Sequence, residues 1–355
     1  MLKARQCVRE MREYHSPLSS PTTELRLDMN ESTTGCSPRV LAKLNSMDAG
    51  RLALYPRREA GEKLVADFLG VAPQQLLLTN GADEAIDLLC RAYLEPQDEI
   101  VVVVPTFAMY EVFAQMEHAK AVRVPAGPDF SFPLERVLKA LTAKTRIVVI
   151  CNPNNPTGID VPRSAIMQII QAAPDAAILL DEAYFDFYGQ TMIDQIGKLP
   201  NLFIARTFSK AYGLAGLRLG VMVGDQEQMS VLRRMASPFN VNAFAIECMP
   251  EALADRQFVA DYVRQVIASR EWLSNELNHL SFKCWPSHGN FILCRFGDEK
   301  KTILDGLRAR GISLRDRPDC EGCVRITIGK QQEMERLIAE LKQVLSQLPA
   351  NQAAR

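Results

Sequence analysis

The sequence has little of what marks a membrane-spanning or nucleic-acid-binding protein. Its 355 residues carry 41 Lys and Arg against 42 Asp and Glu, so no excess of positive charge is available for a phosphate backbone. The longest stretch without a charged residue, 68–82, is shorter than the roughly 20 apolar residues of a membrane span. We therefore expect neither nucleic acid nor a membrane as a partner.

Residues that would bind a metal or build a disulfide framework are also sparse. Four histidines are scattered along the chain, and nine cysteines, an odd number at irregular spacing, predict reduced thiols. Cys320 and Cys323 form a lone C-x-x-C motif, whereas a structural zinc site would need a second pair or nearby histidines. The first 13 residues lack the apolar segment of a secretory signal. We expect a cytoplasmic protein without a metal site.

The pattern of apolar residues predicts an α/β fold. Short β-branched runs alternate with helical patterns as far as Gly224, which is typical of a mainly parallel, buried sheet flanked by helices. The predicted strands are 75–79, 100–104, 121–124, 146–151, 177–180, 202–206 and 218–223. The predicted helices between them are 82–93, 110–117, 133–141 and 163–172.

Beyond residue 247 the pattern changes. It predicts a long charged helix over 250–280, strands over 289–296 and 323–329, and helices over 301–310 and 331–347. This is the pattern of a smaller α+β domain. We therefore divide the chain into an N-terminal arm that joins the small domain (1–45), a large domain (46–245) and a small C-terminal domain (246–355).

Four polar segments follow predicted strands of the large domain, where the ligand crevice of an open α/β sheet lies. They are 79–84, 152–158, 181–184 and 207–210, the last with Arg218 close behind it. Because the carboxyl ends of parallel strands meet at one edge of a sheet, we expect all four segments to line one cleft.

Two of these segments carry residues suited to chemistry on a heterocycle. Lys210 lies among small and apolar residues, where burial would lower the pKa of its amine and favour Schiff-base formation. A surface lysine beside a glycine-rich turn would have the same sequence pattern. Asp181 ends an apolar run, so its carboxylate needs a partner, either a protonated pyridine nitrogen or, more simply, a helix cap or salt bridge. Tyr184 could reach the same ring.

The other polar residues suit a phosphate group. The turn at 79–84 precedes a helix, whose first N–H groups and positive dipole end favour anions. Gly81 allows close approach of the backbone, and Thr207, Ser209 and Arg218 add two hydroxyls and a cation. Each could separately be a turn, a cap or a surface charge. Together they describe a site for a phosphate, a pyridine ring and an aldehyde-reactive amine.

The order of these motifs resembles the fold-type I pyridoxal-phosphate-dependent aminotransferases of class I and II. The resemblance covers nearly the whole chain and is carried by Asn155-Pro-Thr-Gly, Asp181-Glu-Ala-Tyr, Ser209-Lys210, Arg218 and Cys323-Val-Arg-Ile-Thr-Ile-Gly. Within this family the chain is most similar to the histidinol-phosphate aminotransferases, through Asp28-Met-Asn-Glu, Leu54-Tyr-Pro, Asn80-Gly-Ala-Asp-Glu, Val104-Pro-Thr-Phe-Ala-Met-Tyr and Gly311-Ile-Ser-Leu-Arg-Asp.

The resemblance implies a role for each matching position around the cofactor ring. Lys210 would bind pyridoxal 5'-phosphate covalently, and Asp181 would pair with the ring nitrogen. Asn155 and Tyr184 would bond to the phenolic oxygen. Phe107 would stack on the ring, at a position where the family often has tyrosine, so that stacking is kept and a hydroxyl is lost.

The resemblance also implies how the cofactor phosphate and the substrate are bound. The phosphate ligands would be the Ala82 and Asp83 backbone, Thr207, Ser209, Arg218 and, from the neighbouring subunit of a homodimer, Tyr55. The residues that contact the substrate would be Arg325, Arg315, Asn30 and Tyr14.

The choice of substrate depends on the two arginines. In a general aminotransferase, the arginine that matches Arg325 pairs with the α-carboxylate of the substrate. Histidinol phosphate has a phosphate instead, and Arg315 would supply a second cation, although a surface pair between Arg315 and Asp316 would contribute little. We expect transfer between histidinol phosphate and 2-oxoglutarate, giving imidazole acetol phosphate and glutamate, in histidine biosynthesis. The alternatives are an aromatic or broad-specificity amino-acid aminotransferase, a threonine-phosphate decarboxylase and a non-catalytic effector-sensing protein.

Overall fold

The structure is a computed structural model, which describes residues 2–11 and 24–348. The strands in these ranges are β1 Leu25–Leu27, β2 Leu76–Asn80, β3 Glu99–Val104, β4 Lys120–Pro125, β5 Thr145–Cys151, β6 Ala177–Asp181, β7 Leu202–Thr207, β8 Leu219–Gly224, β9 Lys283–Cys284, β10 Phe291–Arg295, β11 Ile312–Arg317 and β12 Cys323–Thr327.

The helices in the same ranges lie mostly between the strands. They are α1 Gln6–Glu10, α2 Pro38–Asn45, α3 Ala49–Leu52, α4 Arg58–Leu69, α5 Gly81–Tyr93, α6 Met109–Met116, α7 Leu134–Ala140, α8 Arg163–Ala172, α9 Phe185–Tyr188, α10 Gln226–Met235, α11 Ala243–Ala254, α12 Arg256–His279, α13 Lys300–Ala309 and α14 Gln331–Ser346. In two groups, α2–α4 and α10–α12, the helices follow one another without a strand between them. None of the helices in the described ranges is long and apolar enough to cross a membrane.

The large sheet has seven strands in the order β2-β8-β7-β6-β5-β3-β4. Strands β3 to β7 pair in parallel, and β8 runs antiparallel to both of its neighbours, β7 and β2. The prediction of a mainly parallel α/β sheet is confirmed. The parallel order places the carboxyl ends of β5, β6 and β7 side by side.

The central strands of the large sheet are buried on both faces, which explains their continuous apolar sequences. Along β6, Ile178 and Leu180 belong to one apolar cluster and Leu179 to the other. Successive side chains of a strand point to opposite faces, so each face has its own layer of helices.

The small sheet has five strands in the order β1-β11-β12-β10-β9. Strand β1 comes from the N-terminal segment and pairs in parallel with β11, with Leu25 opposite Ile312. Neither β1 nor β11 was among the predicted strands. The boundaries at residues 45 and 245 stay predictions.

The single long helix predicted over 250–280 is wrong. Helices α11 and α12 are separated at Asp255, whose backbone has φ −88° and ψ 58°. Pro250, the predicted start of that helix, lies inside α11. The Asp255 carboxylate accepts a hydrogen bond from the Ser37 hydroxyl, which ties the break to the N-terminus of α2.

Candidate active site

A cavity of about 980 Å³ lies where the carboxyl ends of β5, β6 and β7 face the small sheet. It brings together most of the residues named from the sequence: Ala82, Asp83, Phe107, Asn155, Asp181, Tyr184, Thr207, Ser209, Lys210, Arg218, Arg315 and Arg325. Tyr55 and Asn30 are not in its lining. Tyr14 lies outside the described residues.

Lys210 follows β7, and its amine reaches the N-terminal segment. The Nζ atom donates a hydrogen bond to the Met29 carbonyl over 3.2 Å. The pKa of the amine is lowered to about 8, chiefly because burial disfavours the charged form and secondly because Arg325 is close. A neutral amine is the form that attacks a carbonyl, so this lysine is suited to the chemistry expected of it.

Asp181 ends β6 and is nearly fully buried. The hydroxyl of Tyr110 donates to its Oδ2 over 2.5 Å, and the Ala183 N–H donates to its Oδ1 over 2.9 Å. Burial nevertheless raises the pKa of the Asp181 carboxyl to about 6, because it outweighs these two bonds. A carboxylate in this setting is stabilised by a further cationic donor from the cavity.

Tyr110 belongs to one of the motifs of the family resemblance, and the resemblance implies no role for it. It is fully buried in the first turn of α6, and its phenol reaches Asp181 across the interior of the domain. No spacing rule pairs residues that are 71 positions apart, so the contact depends on how α6 packs on the sheet.

The N-terminus of α5 forms an anion-binding corner. Gly81 has φ +81°, and a Cβ atom at this position would lie 2.5 Å from Nη2 of Arg218. Arg218 also approaches Asp83, with Nη2 3.4 Å from Oδ2. Beside them the Thr207 hydroxyl donates to Oγ of Ser209 over 2.9 Å. The corner therefore combines backbone donors, hydroxyls and a cation, which is the donor set that a phosphate group needs.

Arg325 links the two sheets across the cavity. It lies on β12, with 6% of its surface exposed. Its Nη1 donates to Oδ1 of Asn155 over 2.7 Å, and its Nη2 donates to the Asp28 carbonyl over 2.6 Å. Arg315 is opposite Arg325 in the antiparallel pair of β11 with β12. Two guanidinium groups thus line the same side of the cavity.

Four charged residues of the lining belong to no motif that the sequence singled out, namely Glu111, Arg123, Arg317 and Asp319. Arg317 is two residues after Arg315, so the period of a strand places it on the same face. Its Nε donates to Oδ1 of Asp319 over 2.8 Å, and its Nη2 donates to the Thr106 carbonyl over 3.5 Å. It thereby ties β11 to the segment that carries Phe107.

Tyr55 lies on the surface, away from the cavity. Its side chain is 76% exposed and stacks on Phe239 with 4.2 Å between the ring centroids. Within the described part of the single chain, Tyr55 does not reach the anion-binding corner at α5. Its expected role therefore depends on a second copy.

Cys320 and Cys323 are buried in an apolar cluster with Trp285 and Leu293. Burial raises the pKa of Cys320 to about 12 and that of Cys323 to about 11. In the described part of the chain, no group of three His, Cys, Asp or Glu side chains is arranged to hold a metal ion.

Comparison with known proteins gives the family. The model of the family "Aminotransferase class I and II" matches residues 22–341. The chain belongs to this family. A histidinol-phosphate aminotransferase of Dehalococcoides mccartyi is 34% identical over 323 residues, covering 89% of this chain and 89% of the relative. One of Cytophaga hutchinsonii is 37% identical over 279 residues, covering 77% and 80%.

A solved structure confirms the fold of this class I and II aminotransferase. The histidinol-phosphate aminotransferase of Sinorhizobium meliloti, in complex with pyridoxal-5'-phosphate, superimposes with a TM-score of 0.90. The match covers 98% of this chain and 99% of that one, at 24% sequence identity. The fold-type I architecture expected from the sequence is therefore confirmed.

Proposed function

We propose that this class I and II aminotransferase uses pyridoxal 5'-phosphate to move an amino group between histidinol phosphate and 2-oxoglutarate. The observation that carries the proposal is that one cavity holds Lys210, Asp181, an anion-binding corner at α5 and a pair of arginines. The names of the Dehalococcoides mccartyi and Cytophaga hutchinsonii relatives, both more than 30% identical to this chain, support the same substrate.

The side chains present fit the cofactor. When bound, pyridoxal phosphate supplies an aldehyde that condenses with amines and a ring that accepts the electrons left by removal of a substrate proton. Lys210 would hold the aldehyde end, and Asp181 the ring nitrogen. The first turn of α5 with Arg218, Ser209 and Thr207 would hold the phosphate. Phe107 would cover the ring face, and Asn155 with Tyr184 would bond to the phenolic oxygen.

Lys210 is also the group that would move protons at the substrate carbon. Because the pKa of its amine is about 8, the amine can both accept and return a proton near neutral pH. Its hydrogen bond to the Met29 carbonyl keeps Nζ at the cavity side of the N-terminal segment.

Asp181 would keep the ring nitrogen protonated. Its carboxylate is buried, and its two oxygens are already oriented by Tyr110 and Ala183. Loss of the proton from the ring nitrogen would leave this buried anion without its cationic partner, which is strongly unfavourable.

The arginines would select the substrate. Arg325 and Arg315 together can bind a doubly charged phosphate through several charge-assisted hydrogen bonds. A carboxylate of glutamate could still use one of them. One pair of arginines could therefore bind both amino-group donors of the transfer, histidinol phosphate and glutamate.

The remaining proposals concern assembly and location. Leu52, Leu54, Tyr55, Phe239 and Phe244 are large apolar residues that the single chain leaves exposed, and we propose that a second copy covers them. Tyr55 would then reach the cofactor phosphate of its neighbour. The nine cysteines are all free, which supports a reducing compartment such as the cytoplasm.

The substrate assignment is tested by steady-state kinetics. We expect kcat/KM for histidinol phosphate to exceed that for free histidinol and for phenylalanine, with 2-oxoglutarate as the acceptor. A preference for phenylalanine would support the broad-specificity aminotransferase instead. Release of carbon dioxide from threonine phosphate would support the decarboxylase.

A further inference from the structure

Asn30 occupies an unusual place in the N-terminal segment. Its neighbours Met29 and Glu31 line the cavity, but Asn30 is not in the lining and is fully buried. Its backbone has φ +54°, a left-handed conformation that asparagine and aspartate tolerate better than most residues. The kinked backbone directs its side chain toward the interior, between the two sheets, instead of toward substrate.

The hydrogen bonds of Asn30 have a defined direction. Its backbone N–H donates to Oγ1 of Thr327 over 2.9 Å, so the hydroxyl proton of Thr327 is directed elsewhere. That hydroxyl donates to Oδ1 of Asn30 over 3.1 Å. With its oxygen held by Thr327, the amide group presents its nitrogen to Tyr184, and Nδ2 donates to the phenolic oxygen over 2.9 Å.

This direction determines what Tyr184 can do. A phenol that accepts a hydrogen bond from an amide keeps its own proton to donate to another acceptor. The ring of Tyr184 is packed edge-on against Phe291, with 5.0 Å between centroids, and Tyr184 lines the cavity. The phenolic proton can therefore be donated to an acceptor that binds in the cavity.

We propose that Asn30 is a positioning residue that makes Tyr184 a hydrogen-bond donor toward the phenolic oxygen of the cofactor. This inference rests on the function proposed above. Thr327 of the small sheet sets the orientation of the Asn30 amide, so the N-terminal segment and the small sheet jointly control a contact of the large domain. Asn290 supports the arrangement, because its Nδ2 donates to the Asn30 carbonyl over 3.1 Å.

A positioning role of Asn30 can be distinguished from a purely structural role, in which Asn30 would only dock the N-terminal segment. A hydrogen bond donated to the phenolic oxygen stabilises its anionic form. It therefore lowers the pH midpoint at which the visible absorption of the bound cofactor changes. A docking role would alter stability without changing this midpoint through Tyr184.

The test is a double-mutant cycle on the holoenzyme without substrate. Asn30→Asp keeps the size and tolerates the left-handed backbone, but its carboxylate would accept the Tyr184 proton. We expect the midpoint to rise by about one pH unit in this variant. The cycle repeats the substitution in a Tyr184→Phe background, where the rise should be largely lost, because only the direct effect of the added charge remains.

A second pair of variants does not depend on the folding of Asn30→Asp. Thr327→Ser keeps the hydroxyl and should retain the wild-type midpoint, whereas Thr327→Val should raise it. Equal shifts from Asn30→Asp with and without the Tyr184 hydroxyl, or equal midpoints for the two Thr327 variants, would overturn the inference. A wild-type protein with no visible band after addition of pyridoxal phosphate would instead contradict the proposed function.

Discussion

Arg315 and Arg325 are directly opposite each other on the antiparallel strands β11 and β12, and both line the cavity. Like charges in facing positions of a sheet repel each other. The pair is therefore expected to favour the binding of an anion of high charge in the cavity.

Removing one of these charges should weaken the reaction with the phosphorylated substrate. We expect Arg315→Gln to lower kcat/KM for histidinol phosphate by about 10- to 100-fold, the worth of a charge-assisted hydrogen bond. Arg308→Gln, at an exposed position of α13, is the matched control. Unchanged kinetics in Arg315→Gln would contradict the role of this arginine.

The buried carboxylate of Asp181 should lower the stability of the cofactor-free protein. The pKa of its carboxyl is raised to about 6 in the fold, so the folded state holds the proton more tightly than the unfolded state. Stability is therefore lost as pH rises from the unfolded value through 6. We expect the apoprotein of Asp181→Asn to be more stable than wild type by about 1–3 kcal/mol at pH 8, with the difference disappearing near pH 4. Urea unfolding at the two pH values measures it, and a variant that is less stable at pH 8 would count against this account.

Tyr110 should help to keep Asp181 ionised. Its hydrogen bond lowers the pKa of Asp181, so Tyr110→Phe should raise that pKa further. Affinity for pyridoxal phosphate should then begin to weaken at a higher pH than in wild type as the solution is acidified. Fluorescence titration of the apoprotein across pH gives the two curves. Tyr93→Phe, which removes a hydroxyl bonded to Gln228, is the control, and it should follow the wild-type curve.

Gly81 should be needed both for the backbone and for the anion-binding corner. Alanine here would be strained at φ +81° and would place its Cβ atom 2.5 Å from Arg218 Nη2. Gly189 has nearly the same angle, φ +82°, but a Cβ atom there would have no neighbour within 4 Å, which makes Gly189→Ala a matched control. Both variants should lose about 1 kcal/mol of stability or more. Only Gly81→Ala should also lose affinity for pyridoxal phosphate, and equal affinities in the two variants would exclude this role.

Tyr55 should act across an interface between two copies. Lys210→Ala and Tyr55→Ala chains should each be impaired alone. When the two chains are unfolded, mixed and refolded together, they should regain activity at about a quarter of the sites. Half of the dimers would then contain one chain of each kind, and each of these dimers would have one intact site. A mixture without any gain, although the chains form dimers by light scattering, would show that Tyr55 serves its own subunit or none.

The sequence predicted the part of the site that follows from the order of strands. Asp181 ends β6, and Lys210 follows the adjacent parallel strand β7. Their meeting in one cavity could therefore be expected from the sequence alone. The hydrogen-bond partners of Asp181 and Tyr184 could not be predicted in this way. Tyr110 and Asn30 reach them through tertiary packing, across 71 and 154 positions of the chain, and no local pattern encodes such contacts.

The same limit applies to the fold. Long apolar runs identified the strands of the large sheet, because both of its faces are buried. Strand β1 has only three residues and an alternating burial pattern, and it becomes a strand only because β11 offers a free edge. At the break between α11 and α12, Asp255 accepts a hydrogen bond from Ser37, a contact between distant segments that no local pattern predicts.

The central claim is that Lys210 carries pyridoxal phosphate in the cavity. The direct measurement is reduction of the holoenzyme with borohydride, followed by proteolysis and mass spectrometry. We expect one peptide with the added mass of the pyridoxyl phosphate group, on Lys210, and no such peptide in Lys210→Ala. A modification on another lysine, or a fully active enzyme with no modified peptide, would contradict it.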